Sequence, residues 1–162
     1  MAQCRMGQLR RSGPGGQHRN KVSTAVNWIH EPTGISAEAN ESRDQTRNRR
    51  QALARLRLRL AIRLRTAPHD SEIEVHETAY RQRWSGRGLK ISAANDDFQA
   101  VLALVLDDLH RSGGQPSLVG PLWKTSTTAV VSFVAAEPAA LQEVNRWREH
   151  HGRRPLHRRR GS

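Results

Sequence analysis

Arg11-Ser-Gly-Pro-Gly-Gly-Gln-His-Arg-Asn-Lys21 is the stretch around which the rest of the chain can be read. Its centre, Gly13-Pro14-Gly15-Gly16-Gln17, places three glycines in four positions. The backbone there can reach φ > 0, and no Cβ keeps its amides from approaching another molecule closely. Pro14 stiffens the loop between the glycines. His18, Arg19, Asn20 and Lys21 follow at once, so the surface approached is anionic, with phosphate the first choice. The same tripeptide recurs at Gly113-Gly114-Gln115, but there it follows an amphipathic segment ending in Leu109-His110-Arg111 and no basic cluster comes after it. That second copy reads as a helix C-terminal stop.

Around Gln17 the sequence offers no metal-ligand cluster and no carboxylate pair, and the nearest acidic residue is Glu31. A Ser12–His18 dyad has no local acid to orient it, so covalent catalysis is not expected. A glutamine amide cannot serve as a general base, but it can hold a water, and glycine-freed backbone N–H groups can stabilise a developing oxyanion. Such a loop needs an activated substrate and outside help with protons.

The loop is one of four blocks. Gly13-Pro14-Gly15-Gly16-Gln17-His18, Asn20-Lys21, Pro32-Thr33-Gly34, and then Arg43, Gln45, Asn48 and Arg49 come in an order and spacing that resembles the catalytic domain of class I peptide chain release factors and their ribosome-rescue relatives, over about residues 4–66. Asp44 stands where the family usually has serine, and Val22 where threonine is common. The resemblance implies hydrolysis of the peptidyl-tRNA ester in the peptidyl transferase centre, with Gly15, Gly16 and Gln17 catalytic and rRNA completing the site. It implies no cofactor and no metal. Expected RNA contacts are His18, Arg19, Asn20, Lys21, Arg43, Gln45, Arg47, Asn48, Arg49 and Arg50, together with Arg153, Arg154, Arg158, Arg159 and Arg160 of a basic tail that resembles those of rescue hydrolases in charge.

The elements read as an α+β chain. Residues 4–11 carry a weak period-2 pattern, and Val26-Asn-Trp-Ile-His30 and Ile35-Ser-Ala-Glu-Ala39 are clearer strands. Glu31-Pro32-Thr33-Gly34 between them has type I turn chemistry, with proline second and glycine fourth. Residues 42–66 contain neither glycine nor proline and are rich in Arg, Ala, Leu and Gln, which predicts one long helix. Leu53, Leu56, Leu60 and Leu64 fall on one stripe that should pack on the hairpin, while Leu58 and Ile62 point toward the next module. Arg55, Arg59 and Arg63 form a ridge that is either a solvated face or an rRNA contact.

Residues 67–92 read as a polar linker. Residues 93–150 read as a small helical bundle, its first helix capped by Asn95, Asp96 or Asp97 and carrying Phe98, Val101, Leu102, Val105, Leu106 and Leu109 on one face. Ser126 caps a second helix and Pro138 starts a third. Residues 118–133 loosely resemble a helix-turn-helix, but 127–134 contain no Lys or Arg, which favours a docking or packing module. Residues 151–162 read as a disordered basic tail.

Charge divides along the same lines. The net +12 splits into +10 for residues 1–66, −3 for 67–150 and +5 for 151–162, which places polyanion contact at the two ends. One cysteine, Cys4, and the lack of an apolar leader or of any run of about 18 apolar residues fit a cytoplasmic protein. With 12 residues ahead of Gly13, and with neither codon-reading tripeptides nor a decoding sheet domain, the sequence predicts a codon-independent factor. It would act as a monomer on the ribosome and peptidyl-tRNA, with its tail directed to the vacant mRNA channel. The competing expectation is a non-catalytic ribosome- or RNA-binding regulator that keeps the fold.

Overall fold

The elements alternate between a small sheet and helices in the order β1 (Cys4–Gln8), β2 (Val26–His30), β3 (Ser36–Ala39), α1 (Gln45–Arg63), α2 (Ser71–Trp84), α3 (Phe98–Arg111), α4 (Pro116–Leu122), α5 (Thr127–Ala135) and α6 (Pro138–His150). They come from a computed structural model that describes residues 3–8, 25–65 and 71–157. The fold class is α+β, as expected, and two units divide the chain, Met1–Leu60 and Ala61–Ser162.

In the first unit the strands form one antiparallel sheet of order β1-β2-β3. Cys4 faces His30 and Gln8 faces Val26 across β1–β2, while Val26 faces Ala39 and Ile29 faces Ser36 across β2–β3. The β2–β3 turn sits one residue earlier than the sequence suggested. The carbonyl of His30 accepts from the N–H groups of Thr33 (3.3 Å) and Gly34 (2.8 Å), and the N–H of His30 donates to the carbonyl of Ile35 at 2.8 Å. The loop is therefore closed by His30 and Ile35, and Gly34 takes its last position because the backbone there is left-handed, at φ +69°.

Alternation along β2 buries Val26, Trp28 and His30, and α1 covers that face with Ala52 and Leu56. Ala37 and Ala39 complete the core, and the small side chains keep helix and sheet close. Leu53 and Leu60 pack at its border, whereas Leu64, expected on the same stripe, lies past the end of α1 and is exposed. Arg55 and Arg59 of the predicted basic ridge turn onto the edge strand β3. Arg55 donates to the carbonyl of Glu38 at 2.8 Å, and Arg59 to that of Ser36. Covering an edge strand's open carbonyls with arginine blocks pairing with another chain.

The second unit is built on α3, whose Val101, Leu102, Val105, Leu106 and Leu109 are fully buried together with Val119, Trp123, Val130, Val134 and Val144 from the later helices. Phe98 meets Phe133 edge-on at 5.5 Å. Ser126 caps α5 by accepting from Ala129 at 3.1 Å. Asp97 precedes α3 without capping it, because its carboxylate is taken by the indole of Trp84 (2.9 Å) and by Arg83 (3.0 Å). The expected linker contains α2. That helix is held by Arg81, which makes two bonds to the buried carboxylate of Asp108 at 2.8 and 2.9 Å while stacking over Trp123, whose indole donates to the same carboxylate at 2.8 Å. Asp107 is held alongside by Arg65 at 2.7 Å, and Arg65 in turn lies over Trp147.

Candidate functional site

One end of the sheet gathers the relevant chain segments. Gln8 closes β1 and Val26 opens β2 opposite it, so residues 9–24 leave and return at that end. Ala39, paired with Val26, closes β3 there as well, and residues 40–44 lead into α1. The topology thus puts the anchors of the Gly-Gly-Gln connection beside the first turns of α1. Gly15, Gly16, Gln17, His18, Arg19, Asn20 and Lys21 themselves lie outside the described residues, as do Arg158, Arg159 and Arg160.

The start of α1 is assembled from short-range bonds. Ser42 Oγ accepts from the N–H of Asp44 at 3.0 Å, and Asp44 Oδ1 accepts from that of Thr46 at 2.8 Å, which makes Asp44 the cap. Asn48 then reaches back: its Oδ1 accepts from Ser42 N–H at 3.0 Å and its Nδ2 donates to Ser42 O at 2.8 Å. Asn48 is fully buried. Asn48, expected among the RNA contacts, has its amide engaged in shaping the 42–44 loop.

Arg43, Gln45, Arg47, Arg49 and Arg50 are all exposed. Arg49 stacks its guanidinium 5.8 Å from the ring centre of buried Trp28, an aromatic partner that only the folded sheet reveals. Among the described residues none of these arginines forms an ion pair. The nearby acid, Glu41, is engaged by Arg55 at 2.6 Å, and that bond holds its carboxyl below the ordinary range. Four exposed guanidinium groups with no ion pair among the described residues, in the first turns of α1 and just before it, make this end of the sheet attractive to phosphate.

At the opposite end, Gln3, Cys4, His30, Leu53, Leu56, Arg57 and Leu60 line a cleft of about 440 Å³. His30 is engaged there, with Nδ1 bonded to Thr33 Oγ1 at 2.8 Å and Nε2 to Gln3 Oε1 at 3.3 Å. Among the described residues no group of His, Cys, Asp and Glu could hold a metal ion, and no helix is long and apolar enough to cross a membrane.

The second Gly-Gly-Gln copy is a helix stop. Gly114 donates to Leu109 O at 2.7 Å, and Gly113 and Gly114 are both left-handed, at φ +62° and +73°. Of the two tail arginines within the described residues, Arg154 is exposed, while Arg153 is half-buried with its guanidinium on Gly113 O at 3.0 Å. Within the described residues, 151–157 follow α6 and bond back to it, and 158–162 lie outside them.

The model of the RF-1 domain, the catalytic domain of class I release factors, matches residues 1–96. The chain belongs to this family. Peptide chain release factor 1 of Nitrosomonas eutropha is 51% identical over 51 residues, 32% of this chain and 14% of that protein. Its counterpart in Delftia acidovorans is 42% identical over 87 residues, 54% of this chain and 23% of that protein. Peptide chain release factor 2 of Paramagnetospirillum magneticum is 38% identical over 78 residues, 48% of this chain and 19% of that protein. This RF-1 domain chain therefore spans less than a quarter of the length of these relatives. No solved structure matches it. Helices α3 to α6 lie beyond the RF-1 match.

Proposed function

We propose that this chain is a ribosome-dependent peptidyl-tRNA hydrolase that acts without reading a codon. The observation that carries the reading is Gly15-Gly16-Gln17 set in a matched RF-1 domain, its anchors at the sheet end that bears Arg43, Arg47, Arg49 and Arg50. In the proposed reaction water adds to the ester carbonyl, the bond from that carbon to the tRNA 3′ oxygen breaks, and the 3′ oxygen leaves with a proton. The backbone N–H of Gln17 stabilises the departing oxygen, its side chain admits water, and the glycines allow the close approach. The basic side chains grip rRNA, and the proton relay belongs to rRNA and the terminal ribose. The protein works in the cytoplasm, as a monomer.

Support for codon independence comes from the helical unit beyond the RF-1 domain, which ends in a basic segment. In this reading the basic C-terminal segment, Arg158, Arg159 and Arg160 included, enters an empty mRNA channel. The test is peptide release from purified ribosomes carrying peptidyl-tRNA, on mRNA that ends in the P site and on mRNA with a sense or stop codon in the A site. Release should be fastest on the truncated message. A strict requirement for a stop codon would remove the codon-independent reading.

A further inference from the structure

The C-terminal segment is more than a charged tail, because a set of bonds fastens it to α6. Asn145 clamps it reciprocally: its Oδ1 accepts from the N–H of Leu156 at 2.7 Å and its Nδ2 donates to the carbonyl of Leu156 at 3.0 Å. Arg148 Nε donates to Arg154 O at 2.7 Å, and the N–H of Arg153 donates to Arg148 O at 2.8 Å. Gly152, left-handed at φ +65°, makes the reversal. A polar seven-residue segment with a single leucine would not order itself; the clamp fixes it as a strap.

Between strap and helix lies a groove of about 480 Å³, lined by Gln142, Asn145, Arg146, Glu149, Arg153 and Pro155. We propose that this groove binds single-stranded RNA, as a second RNA surface in a part of the chain that the RF-1 domain does not cover. Its charge supports this. Arg153, which lines the groove, rests on the carbonyl of Gly113, and Arg148, outside the lining, on that of Gly114; among the described residues neither forms an ion pair. Burial and the neighbouring charge of Arg153 both lower the pKa of Arg148, which marks a crowded cationic site. Arg146, although paired with Glu143, keeps a largely exposed side chain on the groove, and Arg154, next in the strap after Arg153, is exposed as well. Gln142 and Glu149 offer an amide and a carboxylate at the edge, groups that meet bases, while the arginines meet phosphates. Arg158, Arg159 and Arg160 follow in the sequence. A splayed single strand fits such a slot better than a duplex does.

The inference rests on the chain working at RNA and is independent of hydrolysis. The test uses the full-length protein and a 5′-labelled oligouridylate of about 12 nucleotides carrying 4-thiouridine, with a duplex of equal length for comparison, since one backbone contact costs a slope of roughly −0.7 on single strands. Photo-crosslinks should map to residues 142–157. The double variant Arg146→Glu/Arg154→Glu should weaken single-strand binding about ten-fold and flatten the salt slope by about 1.4, two contacts' worth, with the Tm unchanged. Asn145→Ala, which frees the strap, should lower affinity in the same direction. Crosslinks confined to residues outside 142–157, or unchanged affinity in the double variant, would overturn the proposal. Gly16→Ala should bind the oligonucleotide as the parent does, so a failed hydrolase and a failed groove are told apart.

Discussion

Asn48 and Arg49 are neighbours in sequence and have opposite fates. The family pattern marks both as RNA contacts, yet the helix turns Asn48 inward, where its amide closes two bonds to Ser42, and turns Arg49 outward over Trp28. Pattern alone could not separate them, because a short amide serves a loop as readily as it serves a phosphate. Asn48→Ala should therefore destabilise the first unit by about 1–3 kcal/mol, the usual cost of unsatisfied buried polar groups. Urea denaturation followed by Trp28 fluorescence would measure it. Arg50→Ala should leave that midpoint unchanged and reduce the salt slope of ribosome binding by roughly one phosphate contact. An Asn48→Ala protein of unaltered stability would contradict the structural role given to its amide.

At the scale of elements, legibility tracks the kind of interaction that holds each piece. The strands β2 and β3 and the helices α1 and α3 advertise themselves by apolar spacing, and Leu56, Val101, Leu102, Val105, Leu106 and Leu109 are buried where that spacing puts them. Helix α2 is not visible in the sequence as a helix because its described anchors are polar: Arg81 on Asp108 and the indole of Trp84 on Asp97. The strap is hidden for the same reason, its anchors being the amide of Asn145 and backbone groups. Sequence periodicity cannot report a bond between a guanidinium and a carboxylate 27 residues away. Arg81→Met takes the two-bond partner from the buried Asp108 carboxylate, which keeps the Trp123 indole and Arg111, and should cost about 1–3 kcal/mol, whereas Arg111→Ala, which removes a more exposed partner of the same carboxylate, should cost under about 1 kcal/mol. Guanidinium denaturation of the two variants side by side tests the ranking, and equal costs would contradict the assigned network.

For the whole molecule, the uneven charge, +10 on residues 1–66 and +5 on 151–162, leads to a prediction that the strap sharpens. Deleting 158–162 removes three arginines beyond the clamp, so the Tm should hold while the salt dependence of ribosome binding flattens by roughly two to three contacts. Deleting 153–162 also strips the partners of Asn145 and Arg148 and should lower the Tm of the second unit, by calorimetry. The Gly-Gly-Gln chemistry is legible in the sequence as a motif, and the described structure adds its anchors and the basic ground beside them. The measurement that bears most directly on the central claim is single-turnover peptide release by Gly16→Ala and Gln17→Pro on stalled ribosomes, with ribosome affinity measured in parallel. A Cβ added at Gly16 would obstruct the close approach that the proposed chemistry requires of this loop. Release should fall by at least about a hundred-fold, the scale of a lost oxyanion donor, with affinity nearly intact and with His18→Ala only reducing the rate. Full release by Gly16→Ala would contradict the account.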